Sequence, residues 1–228
     1  MRRGGPFTVL SQGPATLKPV MTKHIIWDWN GTLFHDIDAV VGATNEVFRA
    51  YELAPLTADG FRAVYTRPIW LAYERLLGRP LNEGEWETLD AGFHEHYFRL
   101  SAVCGLAEDA LATLAGWTGT QSLCSMAPHS HLLTIIESFG ITGHFNRVDG
   151  LVGATGGEKA AHMAAHIRAL DVEPGQVLVI GDSVDDGMAA RHVGARAVLY
   201  TGGMTSRAEL EATGMPVVDT LAEAIDHI

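Results

Sequence analysis

The stretch Ile25-Ile26-Trp27-Asp28-Trp29-Asn30-Gly31-Thr32-Leu33-Phe34 constrains this chain more than any other. A short apolar run reaches an aspartate, then turns sharply through Asn-Gly into a threonine. A buried strand that delivers a carboxylate to its C-terminal end and turns on a glycine is how open α/β sheets present chemistry. Asp28 is therefore the first candidate for a reactive group.

The rest of the chain supplies a sheet around that strand. Residues 24–29 read as a short buried strand. From Asp36 the pattern becomes helical, with Ile37, Val40, Val41, Thr44, Val47 and Phe48 at helix spacing until Pro55 interrupts. Further helices are expected from the cap-like Thr57-Ala58-Asp59 to Tyr65, over 69–77, and from about 82 to 100. In the last of these Trp86, Leu89, Phe93, Tyr97 and Leu100 share a stripe. No strand is legible from 36 to 103, which predicts an all-helical insertion. After Gly105 the texture alternates. Strands are expected over 121–124, 147–152, 177–180, 196–200 and 217–218. Helices are expected over 106–116, 128–139, 158–170, 187–193, 206–212 and 221–228, with 181–186 as a loop. Such alternation predicts an α/β fold, a doubly wound parallel Rossmann-like sheet with an inserted all-helical cap domain. The expected division is a core domain of 23–35 and 104–228, a cap of 36–103, and a loose leader of 1–22. The leader is broken by Gly4, Gly5, Pro6, Gly13, Pro14 and Pro19 and has no signal-peptide core, and Met21 is a candidate start.

Composition narrows the class. At 47% hydrophobic and 19% charged the 228 residues can fill a core. A formal charge of −11 disfavours general binding to nucleic acid or to an anionic membrane surface. No apolar run approaches the roughly 20 residues that span a bilayer, so a cytoplasmic location is expected by default. Cys104 and Cys124 form no framework. Cys124 lies in an apolar run with no basic neighbour in sequence, so it reads as a small buried hydrophobe rather than a catalytic thiol.

Three expected strand ends carry polar residues, Asp28, Ser125 and Asp182, and Lys159 opens a helix after the glycine-rich run 153–157. In a parallel sheet these ends share one edge. They supply a carboxylate nucleophile, a hydroxyl donor, a cation and a second carboxylate for a hard metal, which together make a kit for phosphoryl transfer. The glycine-rich run lacks the Gly-Lys-Ser/Thr of a nucleotide P-loop.

With Asp28-Trp29-Asn30-Gly31-Thr32, Ser125, Lys159 and Gly181-Asp182-Ser183-Val184-Asp185-Asp186 in this order, the chain resembles the haloacid dehalogenase superfamily, in its phosphoglycolate-phosphatase-like form. The helical segment sits where that family inserts its smaller cap, and the match covers about 24–228. The resemblance implies a magnesium-dependent hydrolase of a small phosphorylated substrate. It implies that Asp28 is the nucleophile that forms an aspartyl-phosphate and is also a Mg2+ ligand, together with the Asn30 backbone carbonyl and Asp182. Asp186, the second acid of the last motif, is assigned to the same metal shell. Thr32, Ser125 and Lys159 are implied phosphate-binding groups, Lys159 neutralising both phosphate and nucleophile. Nothing in the sequence fixes the substrate or the oligomeric state.

Asn30 departs from the family pattern, which usually has an aspartate there to protonate the leaving group and then activate water. An amide cannot do either. Three readings follow. The chain is a phosphatase whose acid comes from His35, Asp36 or a cap residue, or whose leaving group needs no proton, as with phosphoanhydrides, acyl phosphates and aryl phosphates. It is a dehalogenase-type hydrolase on the same fold. Or it is a low-turnover or non-enzymatic phosphate-ligand binding protein. The eleven histidines are expected to be solvated: His94 and His96 do not share a helix face, while His162 and His166 do, and none has an acid or cysteine framework. In the cap, Arg67, Trp70, Tyr73 and Trp86 are candidate substrate contacts, with core packing the alternative for the aromatics.

Overall fold

The first strand, β1 (His24–Trp27), has no exposed residue, as a central strand covered on both faces must. In the computed structural model, which describes residues 21–228, it lies between β4 (Thr120–Pro128) and β6 (Val177–Gly181). Beyond them lie β5 (Val148–Leu151) on one side, and β7 (Arg196–Tyr200) and β8 (Val217–Val218) on the other, in the order β5-β4-β1-β6-β7-β8. Every neighbouring pair is parallel. The alternation of the strand sends Ile25 and Trp27 to one face, against α5 (Ala110–Gly116), α6 (His129–Ser138) and α10 (Leu221–Ile225). Ile26 points to the other face, against α7 (Ala160–Leu170) and α8 (Val184–Val193). One further helix, α9 (Arg207–Ala212), joins β7 to β8. The doubly wound parallel sheet expected from the sequence is the observed one.

The helical insertion is also observed. Between the two-residue strands β2 (Phe34–His35) and β3 (Gly105–Leu106), which pair antiparallel, the chain forms only helices. These are α1 (Ile37–Phe48), α2 (Ala58–Arg62), α3 (Ile69–Leu77) and α4 (Glu85–Ser101), with a 3-10 turn at Arg49–Tyr51. Ile37, Val40 and Val41 of α1 pack with Tyr97 of α4, Phe61 of α2 and Met204 of the core. The β2–β3 pair closes the insertion at its base.

Four local expectations shift. The first strand stops at Trp27, because the Trp29 carbonyl accepts both the Thr32 and Phe34 N–H groups and turns the chain. Gly31 sits in that turn at φ 73°, a conformation that needs no Cβ. Residues 105–106 pair with β2 instead of starting a helix. β4 runs on to Pro128, past the expected end at 124. α8 begins at Val184, inside the expected loop, because Ser183 caps it. Among the described residues no helix is long and apolar enough to cross a membrane. Most of the expected leader, residues 1–20, lies outside the described residues.

Candidate active site

Three carboxylates and a lysine meet at the C-terminal edge of the sheet. Asp28 follows β1, Asp182 follows β6, Asp186 lies in the first turn of α8, and Lys159 precedes α7. Oxygens of the three acids all lie within 4.8 Å of one another. Lys159 Nζ donates to Asp28 Oδ1 and to Asp186 Oδ1, both at 2.5 Å. Its side chain is 1% exposed, which a lysine tolerates only when paired.

Each side chain is held by its own stretch of sequence. The Asp186 carboxylate accepts from the Ser183 N–H and hydroxyl, while Ser183 Oγ accepts from the Asp186 N–H. This capping box orients Asp186 toward the lysine. Asp182 Oδ2 accepts from the Met204 N–H at 2.5 Å, and two glycines close over it. A Cβ at Gly203 would stand 1.9 Å from that oxygen, and one at Gly31 2.4 Å. The Thr32 hydroxyl lies 3.4 Å from both Asp28 Oδ2 and Asp182 Oδ1. Ser125, on β4, is buried, and its Oγ accepts from the Ala127 N–H.

The charges are unbalanced. Burial pushes the Asp28 carboxyl up to about 7 against the pull of Lys159, and the Asp186 charge adds to the rise. Burial, then the Asp28 and Asp186 charges, raise Asp182 as well. Burial would lower Lys159, but Asp186 and Asp28 override it and hold the ammonium above its ordinary range. Three acids thus face one cation in a largely buried setting. Every donor in the cluster is a hard oxygen, which fits a hard divalent cation such as Mg2+ and not a soft one.

A cavity of about 130 Å³ opens onto these groups. Asp28, Asn30, Ser125, Lys159, Asp182 and Asp186 all line it, and Thr32 lies behind, between the two strand-end aspartates. All seven sequence-predicted positions therefore converge. Ser122, the alternative to Ser125, faces α7 instead and bonds to His166 there and to His24 of β1.

Asn30 is fixed. Its Nδ2 donates to Asp36 Oδ2 at 2.7 Å and to the Tyr97 hydroxyl oxygen at 2.6 Å, and Tyr97 in turn donates to the same carboxylate oxygen. Asp36 is fully buried and its other oxygen accepts from the Gly31 N–H.

From the insertion, Arg67 and Tyr73 reach the cavity, while Trp70 and Trp86 do not line it. Trp86 packs over Gly156, where an added Cβ would meet its ring at 2.3 Å. Arg67 donates from Nη1 to the Gly157 carbonyl, so it ties the insertion to the glycine-rich run. Sequence reading missed Asp90, His94 and Tyr97 as cavity residues. Their four- and three-residue spacings on α4 were the available signal. The expectation of solvated histidines fails for His166 and His24. Both are buried and joined through Ser122, because a long polar chain inside the sheet satisfies them. Burial pushes the Cys124 thiol up to about 12, which makes it inert.

A parallel sheet carrying a carboxylate cluster at its strand ends, under a helical cover, defines a hydrolase-type α/β protein. A family model described as HAD-hydrolase-like matches residues 156–224. The phosphoglycolate phosphatase of Caulobacter vibrioides is 26% identical over 212 residues, covering 90% of this chain and 89% of its own length. The phosphoglycolate phosphatase of Rhodospirillum rubrum is 24% identical, covering 91% of each chain. A haloacid dehalogenase-like hydrolase from Streptococcus pneumoniae superposes with a TM-score of 0.78 at 16% identity, over 90% of this chain and 98% of its own. Over about nine-tenths of its length the chain is thus similar to phosphoglycolate phosphatases, and its C-terminal part to the HAD-hydrolase-like family, as expected of a phosphatase-like hydrolase.

Proposed function

We propose that the protein is a Mg2+-dependent phosphate-ester or phosphoanhydride hydrolase that acts through an aspartyl-phosphate on a small phosphorylated metabolite. The observation that carries this reading is the Asp28 carboxylate, held 2.5 Å from Lys159 Nζ on the wall of the cavity. A carboxylate so placed is a nucleophile toward phosphorus. Lys159 neutralises the incoming phosphate and keeps Asp28 ionised when it attacks. Ser125 and Thr32 offer hydroxyls to the phosphate oxygens. Asp28, the Asn30 backbone carbonyl, Asp182 and Asp186 would hold Mg2+, which when bound screens charge between carboxylate and phosphate. We read 36–103 as the cap that selects the leaving group, over a core of 23–35 and 104–228.

A panel of phosphorylated metabolites, assayed for phosphate release with Mg2+ and with excess chelator, tests this reading. Release that vanishes in chelator and returns with Mg2+ is expected. Release unaffected by chelator would favour the dehalogenase-type reading, and no release from any substrate would sink the enzymatic one.

The low-turnover reading draws on Asn30, and the structure makes a sharper test of it. Asn30 donates to the Asp36 carboxylate, so aspartate at position 30 would put two acids in contact. Asn30→Asp alone is expected to lower phosphate release at pH 8 by about tenfold or more, the rate equivalent of about 1.4 kcal/mol. The paired change Asn30→Asp with Asp36→Asn restores one donor and one acceptor and is expected to recover it. A rise in rate in the single variant would mean that asparagine holds back an otherwise competent enzyme.

A further inference from the structure

With Asn30 the site lacks a carboxylate that gives a proton to the departing oxygen and takes one back from water. The two nearest replacements in sequence are out of place. His35 is exposed on β2, opposite Gly105. Asp36 is off the cavity wall, with both oxygens taken by Gly31, Asn30 and Tyr97.

The helix α4 carries a better candidate. Asp90, His94 and Tyr97 lie on its cavity face, and Tyr97 is bonded to Asn30, so this face meets the reacting end of the site. His94 is the one histidine on the cavity wall among the described residues. Its Nδ1 lies 2.8 Å from the Asp90 carbonyl oxygen. A carbonyl only accepts, so Nδ1 keeps its proton in both charge states and Nε2 is the nitrogen that gains and loses one. No protein group among the described residues bonds to Nε2. The Asp90 carboxylate stands 3.5 Å from Nδ1 and is itself fixed by the Thr155 hydroxyl at 2.5 Å. Phe93 and Phe98 hold the ring from two sides.

We propose that His94, oriented by Asp90, is the proton-transfer residue of this site, supplied by the cap in place of the carboxylate that Asn30 lacks. This rests on the phosphatase reading above. As Asp28 bonds to phosphorus and the ester P–O bond breaks, protonated His94 gives its Nε2 proton to the leaving oxygen. Neutral His94 then takes a proton from water as the water oxygen attacks phosphorus, releasing phosphate and the Asp28 carboxylate and returning His94 to its protonated form. The groups that face it are Asp90 and Tyr97 on its own helix and His131 on α6. Asp28, Lys159, Asp182, Asp185 and Asp186 stand at the sheet edge, with Arg67, Tyr65 and Tyr73 across the cap.

The test compares wild type with His94→Gln on p-nitrophenyl phosphate, whose leaving group needs no proton, and on the best alkyl phosphate from the panel. On the alkyl ester kcat/KM is expected to fall by about 100- to 10,000-fold, the range for loss of a general acid–base group. The first-turnover burst of nitrophenolate is expected to survive, with slower turnover after it, and the pH profile is expected to lose one limb. Added imidazole is expected to restore part of the alkyl-ester rate to His94→Ala, which guards against a merely misfolded variant. Equal losses on both esters in the first turnover, or no loss on either, would overturn the assignment while leaving the phosphatase reading intact. A wild type that releases no phosphate at all would remove that reading instead.

Discussion

Alanine at position 28 is expected to take phosphate release down by at least about ten-thousand-fold, the scale set by losing a covalent route. No neighbour can take over the attack. Asp186 spends one oxygen on its own helix cap and the other on Lys159. Asp182 is clamped by the Met204 N–H and by Gly31 and Gly203. Only Asp28 combines a free lone pair, the cavity wall and a bonded ammonium. The same variant is not expected to unfold the protein. Burial and the neighbouring acids already make the Asp28 charge costly, and its removal leaves Lys159 paired with Asp186. Phosphate release assayed beside a melting curve separates the two effects. Substantial release from a well-folded Asp28→Ala would refute the aspartyl-phosphate route, and a collapsed melting temperature would show that Asp28 is structural first. Asp28→Asn, which keeps the shape, is expected to be as inactive as alanine.

The parts of the site that were legible in sequence are those whose signals are local. A buried run ending in Asp28 and an Asn-Gly turn, an acid-rich turn after 177–180, and a lysine after a glycine-rich run each announce themselves within ten residues. A parallel sheet then brings them to one edge without further information. What stayed hidden depends on partners far along the chain. Asp36 reads as a helix-opening acid, and only folding brings Tyr97 from 61 residues away onto it. The amide at position 30 donates to the same Asp36 oxygen, which an ionised aspartate there could not do. His94 looks like any histidine on a polar helix until α4 is laid across the cavity. The short β2–β3 pair escaped because two residues give no periodicity, and the helical start at Val184 escaped because Ser183 and Asp186 cap each other where a loop was expected.

The largest effect away from the cavity is expected in the buried chain behind β4. Asp149 accepts from His166 Nδ1 at 2.7 Å, His166 Nε2 lies 2.8 Å from Ser122 Oγ, Ser122 lies 2.8 Å from His24 Nε2, and His24 Nδ1 lies 2.7 Å from Thr120 Oγ1. With both imidazoles neutral every link has one donor and one acceptor: His166 donates to Asp149, Ser122 to His166, His24 to Ser122, and Thr120 to His24. An added proton on either ring turns an acceptor into a donor and breaks the chain. Burial, then His166, pushes His24 down to about 4. Burial also takes His166 down to about 4, with Asp149 opposing and Arg147 and His162 adding to the fall. The carboxylate end is stable: Arg147 and His166 hold Asp149 below the usual range despite burial. Because the folded values lie below the ordinary 6.5, the unfolded chain takes up these protons first as the pH drops. The stability the histidines contribute is therefore complete above about pH 7 and is lost from about 6.5 toward 4, by about 3 kcal/mol for each ring. The buried carboxyls of Asp28, Asp36 and Asp182 titrate with the opposite sign in the same window, so total stability is not the clean readout. The difference between wild type and His166→Gln is, since those terms cancel in it. Glutamine can donate to Asp149 and accept from Ser122 but does not titrate. In urea unfolding with chelator present, the wild-type advantage at pH 7.5 is expected to shrink by about 2–3 kcal/mol at pH 4.5. An advantage that stays constant across that range would mean that folding leaves the protonation of His166 unchanged, and one that grows as the pH falls would mean that His166 is protonated in the folded protein and held as an ion pair with Asp149.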